Sequence, residues 1–169
     1  MHIRILKRFC HCIDTLNEWV GNIFCWLVLP LTALVVTEVT LRYIFNRPTL
    51  WIWDVNIQIL GVIIILGGAY TARYDAHIGV DVIVERLSSR KRAIIDLITY
   101  SLFIFVSAAI LWELASAVWV SVQTRERLNS ILMPPIYPFK VIVLLGFLLL
   151  FLQIIAKAIR TLIELISHD

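Results

Sequence analysis

Uninterrupted apolar runs at about residues 19–41, 52–72, 94–120 and 136–156 dominate the chain, and polar residues collect in the gaps between them. Each run is close to the ~20 residues a helix needs to cross ~30 Å of hydrocarbon. The runs are continuous and do not alternate. That selects helices over barrel strands, because hydrocarbon admits only structures that satisfy their own backbone hydrogen bonds. The pattern predicts an all-α membrane protein, with four transmembrane helices forming one four-span membrane domain over residues 1–169. The connections are too short for a separate soluble catalytic domain, so any chemistry is expected in or beside the bilayer.

Finer features refine this outline. Ile5, Leu6, Phe9, Ile13 and Leu16 recur at helical spacing among Arg4, Lys7, Arg8 and Asp14, which predicts an amphipathic N-terminal helix at the membrane surface. Pro30 lacks a backbone donor and is expected to kink the first span, and Pro48 to stop it. Tyr43, Trp51 and Trp53 supply an interfacial aromatic belt. Gly61, Gly67 and Gly68 offer places where helix backbones can approach closely in span 2. Pro134, Pro135 and Pro138 predict an ordered, non-helical lead into span 4. Between spans 2 and 3, Val80, Ile83, Val84 and Leu87 form one apolar stripe beside His77, Asp81 and Glu85. That arrangement predicts a short in-plane helix at the interface.

Composition agrees with the pattern and adds orientation. The chain is 60% hydrophobic and 16% charged, with a mean hydropathy of +0.89, outside the range of soluble domains. Ten Lys and Arg fall in the N-terminal segment, the second connection and the C-terminal tail, against five on the opposite side. The imbalance predicts both termini in the cytoplasm. Topology therefore accounts for the net charge of +3 without nucleic acid, and no basic run with interleaved aromatics is present. The first apolar run begins only near Trp19 with no small-x-small pattern behind it, so the first span is expected to be retained. Cys10 and Cys12 fall on the cytoplasmic side and Cys25 inside span 1, where reduced thiols are expected.

Candidate chemistry is sparse. A haem needs axial ligands at its own depth, yet His2, His11, His77 and His168 all fall in surface segments. Cys10, His11 and Cys12 bring together metal-ligating types, but adjacent helical residues face different ways. No cofactor or metal is therefore assigned to the chain. An ionised acid at mid-bilayer costs at least ~2.5–3.5 kcal/mol, which singles out Glu38 and Glu113. Glu38 stands one turn before Arg42, an i,i+4 spacing suited to an ion pair. Glu113 has no local cation, and its burial against another helix or a partner subunit is expected.

The order of "RYIFN", "W..D", "LGGAY" and "AHIGVD" along nearly the whole chain resembles the small membrane subunit of tripartite ATP-independent periplasmic (TRAP) transporters, the DctQ-like family. The matching positions are Arg42, Tyr43, Asn46, Trp51, Asp54, Gly67, His77, Ile78, Val80 and Asp81. Where the family often has two acids after the tryptophan, Trp53 stands in the first place and Asp54 alone keeps the charge. The resemblance implies a non-catalytic scaffold subunit in a bacterial or archaeal inner membrane. Its implied partners are a large permease (M) subunit that uses a sodium gradient, a periplasmic substrate-binding protein that delivers an organic acid, and membrane lipids. Glu38, Arg42, Tyr43, Asn46, Trp51, Asp54, Gly67, His77, Asp81 and Glu113 are the structural or partner-contact candidates. Two other readings stand beside it: a membrane anchor of a quinone-linked redox enzyme, and a small autonomous proton-coupled exporter.

Overall fold

The computed structural model describes residues 2–73, 89–130 and 133–167. The chain order is α1 (His2–Phe24), a 3₁₀ turn (Cys25–Leu27), α2 (Val28–Tyr43), α3 (Trp51–Arg73), α4 (Ser89–Gln123) and α5 (Tyr137–Ser167). Among the described residues there is no strand, only one isolated antiparallel bridge between Arg127 and Pro135. Four stretches are long and apolar enough to cross a membrane: Leu6–Tyr43, Trp51–Arg73, Ile94–Gln123 and Tyr137–Ile163. The expected all-α, four-span architecture is therefore present. The expected in-plane helix, with His77 and Asp81, lies outside the described residues.

The first span departs from its predicted boundaries. No break separates an N-terminal surface helix from the span at Trp19, because α1 runs unbroken through that position. The interruption comes later, at Cys25–Leu27, just ahead of Pro30. Pro30 has no N–H for the Trp26 carbonyl, and the chain tightens there into 3₁₀ geometry. At 1.5 Å per residue, the 35 residues of α4 run about 52 Å, so this helix extends past the hydrocarbon.

Helix ends follow from local chemistry. α2 gives way to Asn46, which adopts a left-handed φ of 51°, a conformation Asn tolerates better than most residues. At the end of α4, Arg125 takes φ 49°. The Glu126 N–H reaches the Ser121 carbonyl at 3.0 Å and the Arg125 N–H that of Val122 at 3.3 Å, the paired bonds of a Schellman cap. The connection to α5 then folds as a small hairpin, with the Leu128 N–H on the Pro134 carbonyl at 2.8 Å and the Ile136 N–H on that of Glu126 at 3.1 Å. Pro134 and Pro135 stand in the non-helical lead expected of them, whereas Pro138, expected there too, sits in the first turn of α5, where a missing N–H does no harm.

α5 is the central helix and packs on α4, α3 and α1, while α2 packs chiefly on α3 and α4 chiefly on α5. A single face of α3 is buried: Ile52, Asn56, Val62, Leu66, Ala69 and Ala72. Cys10, Ile13 and Ala156 form a small core between α1 and α5, with Leu152 and Ile159 against it. The peripheral helices leave most of their apolar surface uncovered; Phe105 is 77% exposed and Trp112 80%.

The glycines that make close approaches are not all the expected ones. A Cβ on Gly67 or Gly68 would meet nothing within 4 Å, whereas one on Gly61 would lie 2.8 Å from the Phe139 ring. Gly146 of α5 faces Leu66 at 2.9 Å and Gly21 of α1 faces Tyr70 at 2.3 Å by the same measure. Helices α1, α3 and α5 thus meet at Gly21 and Gly146, which hydropathy alone does not single out.

Candidate functional site

At the end of the bundle where α2 turns into α3, Glu38 is buried and accepts from Arg42 Nη2 at 2.6 Å and Arg42 Nε at 3.2 Å. The i,i+4 pair is formed, and half of it faces outward, because the Arg42 side chain is 49% exposed. A third member comes from the turn itself. Thr49 donates its backbone N–H to the other Glu38 oxygen at 3.2 Å and its hydroxyl to the same oxygen. One carboxylate therefore ties the last turn of α2 to the residue after Pro48, fixing where α3 begins. Thr49 is not identifiable from the sequence pattern, since its partner stands eleven residues back.

The neighbouring candidates divide by exposure. Tyr43, Asn46, Trp51 and Trp53 are exposed. Asp54 is half-buried in the first turn of α3, where a carboxylate complements the positive end of the helix dipole. The structure brings Glu38 and Arg42 together and leaves Tyr43, Asn46 and Trp51 outward on the same rim.

Gly67 lines a shallow, largely apolar groove of about 350 Å³ between α3 and the break after α1, together with Gly21, Asn22, Cys25, Val28 and Tyr70. Glu113 is exposed on α4, and among the described residues its carboxylate has no ion-pair partner. Burial against another helix of this chain, one of the two arrangements expected for it, is not what the described residues show.

At the opposite end, α1 and α5 share a polar network that the sequence reading did not single out. Asn17 Nδ2 donates to Gln153 Oε1 at 2.5 Å, and Gln153 Nε2 donates to Asp14 Oδ1 at 2.9 Å. Arg160 donates to the other Asp14 oxygen. Arg73 of α3 joins by donating to Glu18 Oε2 at 2.7 Å and to the Asp14 carbonyl at 3.3 Å. Asp14, Asn17 and Gln153 are all buried. Cys10 lies beside them with its thiol 3.6 Å from the Ala156 carbonyl, whereas its neighbours His11 and Cys12 are exposed. The one sequence signal is Gln153 itself, a polar residue interrupting "LLLFLQIIA". A buried polar group of this kind demands a partner.

A further ion pair closes the α4–α5 hairpin, with Lys140 Nζ 2.5 Å from Glu126 Oε2. The hydrogen bond from Lys140, with its charge, holds the Glu126 carboxyl below the usual carboxylate range. A carboxyl depressed in this way stabilises the hairpin throughout the pH range above its ordinary pKa of about 4.3, and the contribution is lost as pH falls through the lowered value. Amide-exchange protection at Leu128 and Ile136 should therefore be level from pH 8 to about 5 and fall only in more acidic buffer. Glu126→Gln should flatten that acid limb; protection already lost between pH 8 and 6 would show that another group fastens the hairpin.

Taken together, these contacts fasten helices to one another. No curated protein matches the chain. The family model for the DctQ component of tripartite ATP-independent periplasmic transporters matches residues 31–164.

Proposed function

Because the chain belongs to the DctQ component family of tripartite ATP-independent periplasmic transporters, we propose that it is the small, non-catalytic membrane subunit of such a transporter. In this reading it is a scaffold for a large permease (M) subunit during sodium-coupled uptake of an organic acid, which a periplasmic substrate-binding protein delivers. The observation that carries the reading is the family match, which spans all of α3 and α4 and most of α2 and α5. The uncovered apolar faces of α2 and α4 suit a chain set in a bilayer, where they meet lipid or a partner helix.

The chain resides in the inner membrane with both termini cytoplasmic, a placement supported by the excess of Lys and Arg at that end. The Glu38–Arg42–Thr49 clasp then stands at the periplasmic rim. Arg42, Tyr43, Asn46, Trp51 and Asp54 there present polar and aromatic groups to the large subunit or the binding protein. His77 and Asp81 act on the cytoplasmic side as structural or partner contacts. Sodium and substrate are bound by the large subunit.

Affinity-tagged chain, solubilised gently from its native membrane, is expected to bring down a many-span membrane protein in constant proportion. Recovery of the chain alone under conditions that keep other membrane complexes intact would contradict the proposal.

A further inference from the structure

The groove beside Gly67 exists because the helix breaks at Cys25–Leu27, ahead of Pro30, and because Gly67 has no side chain to fill the space. A Cβ there would meet nothing within 4 Å. Its walls change character along the helix axis. Val28 and Ile63 line one end, and Asn22 and Thr71, both exposed, line the other. One turn beyond Asn22 stands Glu18, paired at 2.7 Å with Arg73, which lies two residues beyond Thr71. Both charged side chains keep part of their surface open, 45% for Glu18 and 24% for Arg73. The groove therefore passes from apolar walls, through an amide and a hydroxyl, to a pair of opposite charges.

Depth and width select what fills it. Ile63 is ten residues from Arg73 at the end of the span, about 15 Å along the axis, so the apolar end lies near the middle of ~30 Å of hydrocarbon. Water gains nothing against apolar walls at that depth, and an empty groove forfeits the dispersion contacts of its lining. From Ile63 to Thr71 the groove runs about 12 Å. A volume of about 350 Å³ over that length leaves a section about 5–6 Å across, half the 10–12 Å of a helix with its side chains. A hydrocarbon chain fits where a helix does not.

We propose that the groove holds one acyl chain of a zwitterionic phospholipid from the leaflet at the Arg73 end of the bundle, as a resident lipid that outlasts the surrounding bilayer lipid. Its ester linkage lies at Asn22 and Thr71, its phosphate at Arg73 and its cationic group at Glu18. The inference rests on the placement of the chain in a membrane and not on its role in transport.

The full chain, with whatever copurifies, is reconstituted in phosphatidylcholine vesicles carrying a trace of phosphatidylcholine with a diazirine midway along one acyl chain. It is then moved stepwise into detergent and illuminated. Adducts on the exposed Phe105 and Trp112 of α4 report ordinary bilayer lipid and should fall at least tenfold, while adducts on Val28 and Ile63 persist. Gly67→Leu puts a side chain into the groove and should lower the persistent adducts tenfold or more. Gly68→Leu, where a Cβ also meets open space but outside the groove, should leave them unchanged. Phosphatidylglycerol with the same diazirine should be retained no better than phosphatidylcholine. In native membranes, a photo-crosslinking residue at position 25 should capture phospholipid. Groove adducts that vanish in step with those on α4, that survive Gly67→Leu or that form only with phosphatidylglycerol overturn the inference, as does capture of another polypeptide from position 25.

Discussion

Gly21→Ala should destabilise the isolated subunit by about 1–3 kcal/mol, the usual range for overpacking a well-filled contact. The added Cβ would sit 2.3 Å from Tyr70 Cδ2, 2.7 Å from Cγ and 3.0 Å from Cβ. These atoms belong to the stem of the side chain and the near edge of its ring, so no swing of a flexible tip relieves the overlap. α1 must move away from α3, loosening the region where Arg73 reaches Glu18 and the Asp14 carbonyl. Tryptophan fluorescence during thermal unfolding in detergent reads the effect, and Tyr70→Ala in the same chain should recover part of it. Gly67→Ala is the matched control: its Cβ enters open space. Alanine in place of glycine within a helix gains roughly 0.5–1 kcal/mol. Equal destabilisation by the two alanines would show that the α1–α3 contact is not the tight one.

The second large effect is expected at Gln153. Gln153→Leu removes the acceptor of Asn17 and one donor to Asp14 while both remain buried between α1 and α5. A hydrogen bond between membrane helices contributes only ~0.6 kcal/mol on average. Stranding buried polar partners costs more, about 1–3 kcal/mol. The larger figure should apply here, because one glutamine serves two partners at once. Asn17→Leu combined with Gln153→Leu should be less damaging than the sum of the two single changes, since leucines facing each other leave no orphaned amide. Strict additivity would mean that the two residues do not act as one unit.

How much of this could be read from the residues depends on the range of the interaction. Apolar run length sets the spans, and α3 at Trp51–Arg73 falls within a residue of its predicted ends. Local rules also reach the Glu38–Arg42 pair, four residues apart, and the proline-led start of α5. Beyond one or two turns the reading fails for a physical reason. Gln153 meets Asn17 across 136 residues, Arg160 meets Asp14 across 146, and Gly21 meets Tyr70, because α1 lies against both α5 and α3. No periodicity within one helix encodes which helix will be its neighbour. α1 shows the same limit: amphipathic spacing suggests a separate surface segment up to residue 18, yet Cys10, Ile13, Asp14 and Asn17 of that segment are buried and the helix continues unbroken to Phe24. Glu113 is the converse case: it is legible in the sequence as a costly acid, yet it stands exposed on α4 with no ion-pair partner among the described residues.

In the function proposed above, this chain supports transport without performing it. Uptake of a labelled organic acid into proteoliposomes, driven by an imposed sodium gradient with the binding protein outside, tests it most directly. Vesicles holding the 169-residue chain alone should accumulate nothing above protein-free vesicles, and vesicles holding it together with the copurified large subunit should accumulate substrate only while the gradient lasts. Accumulation by the chain alone would contradict the account.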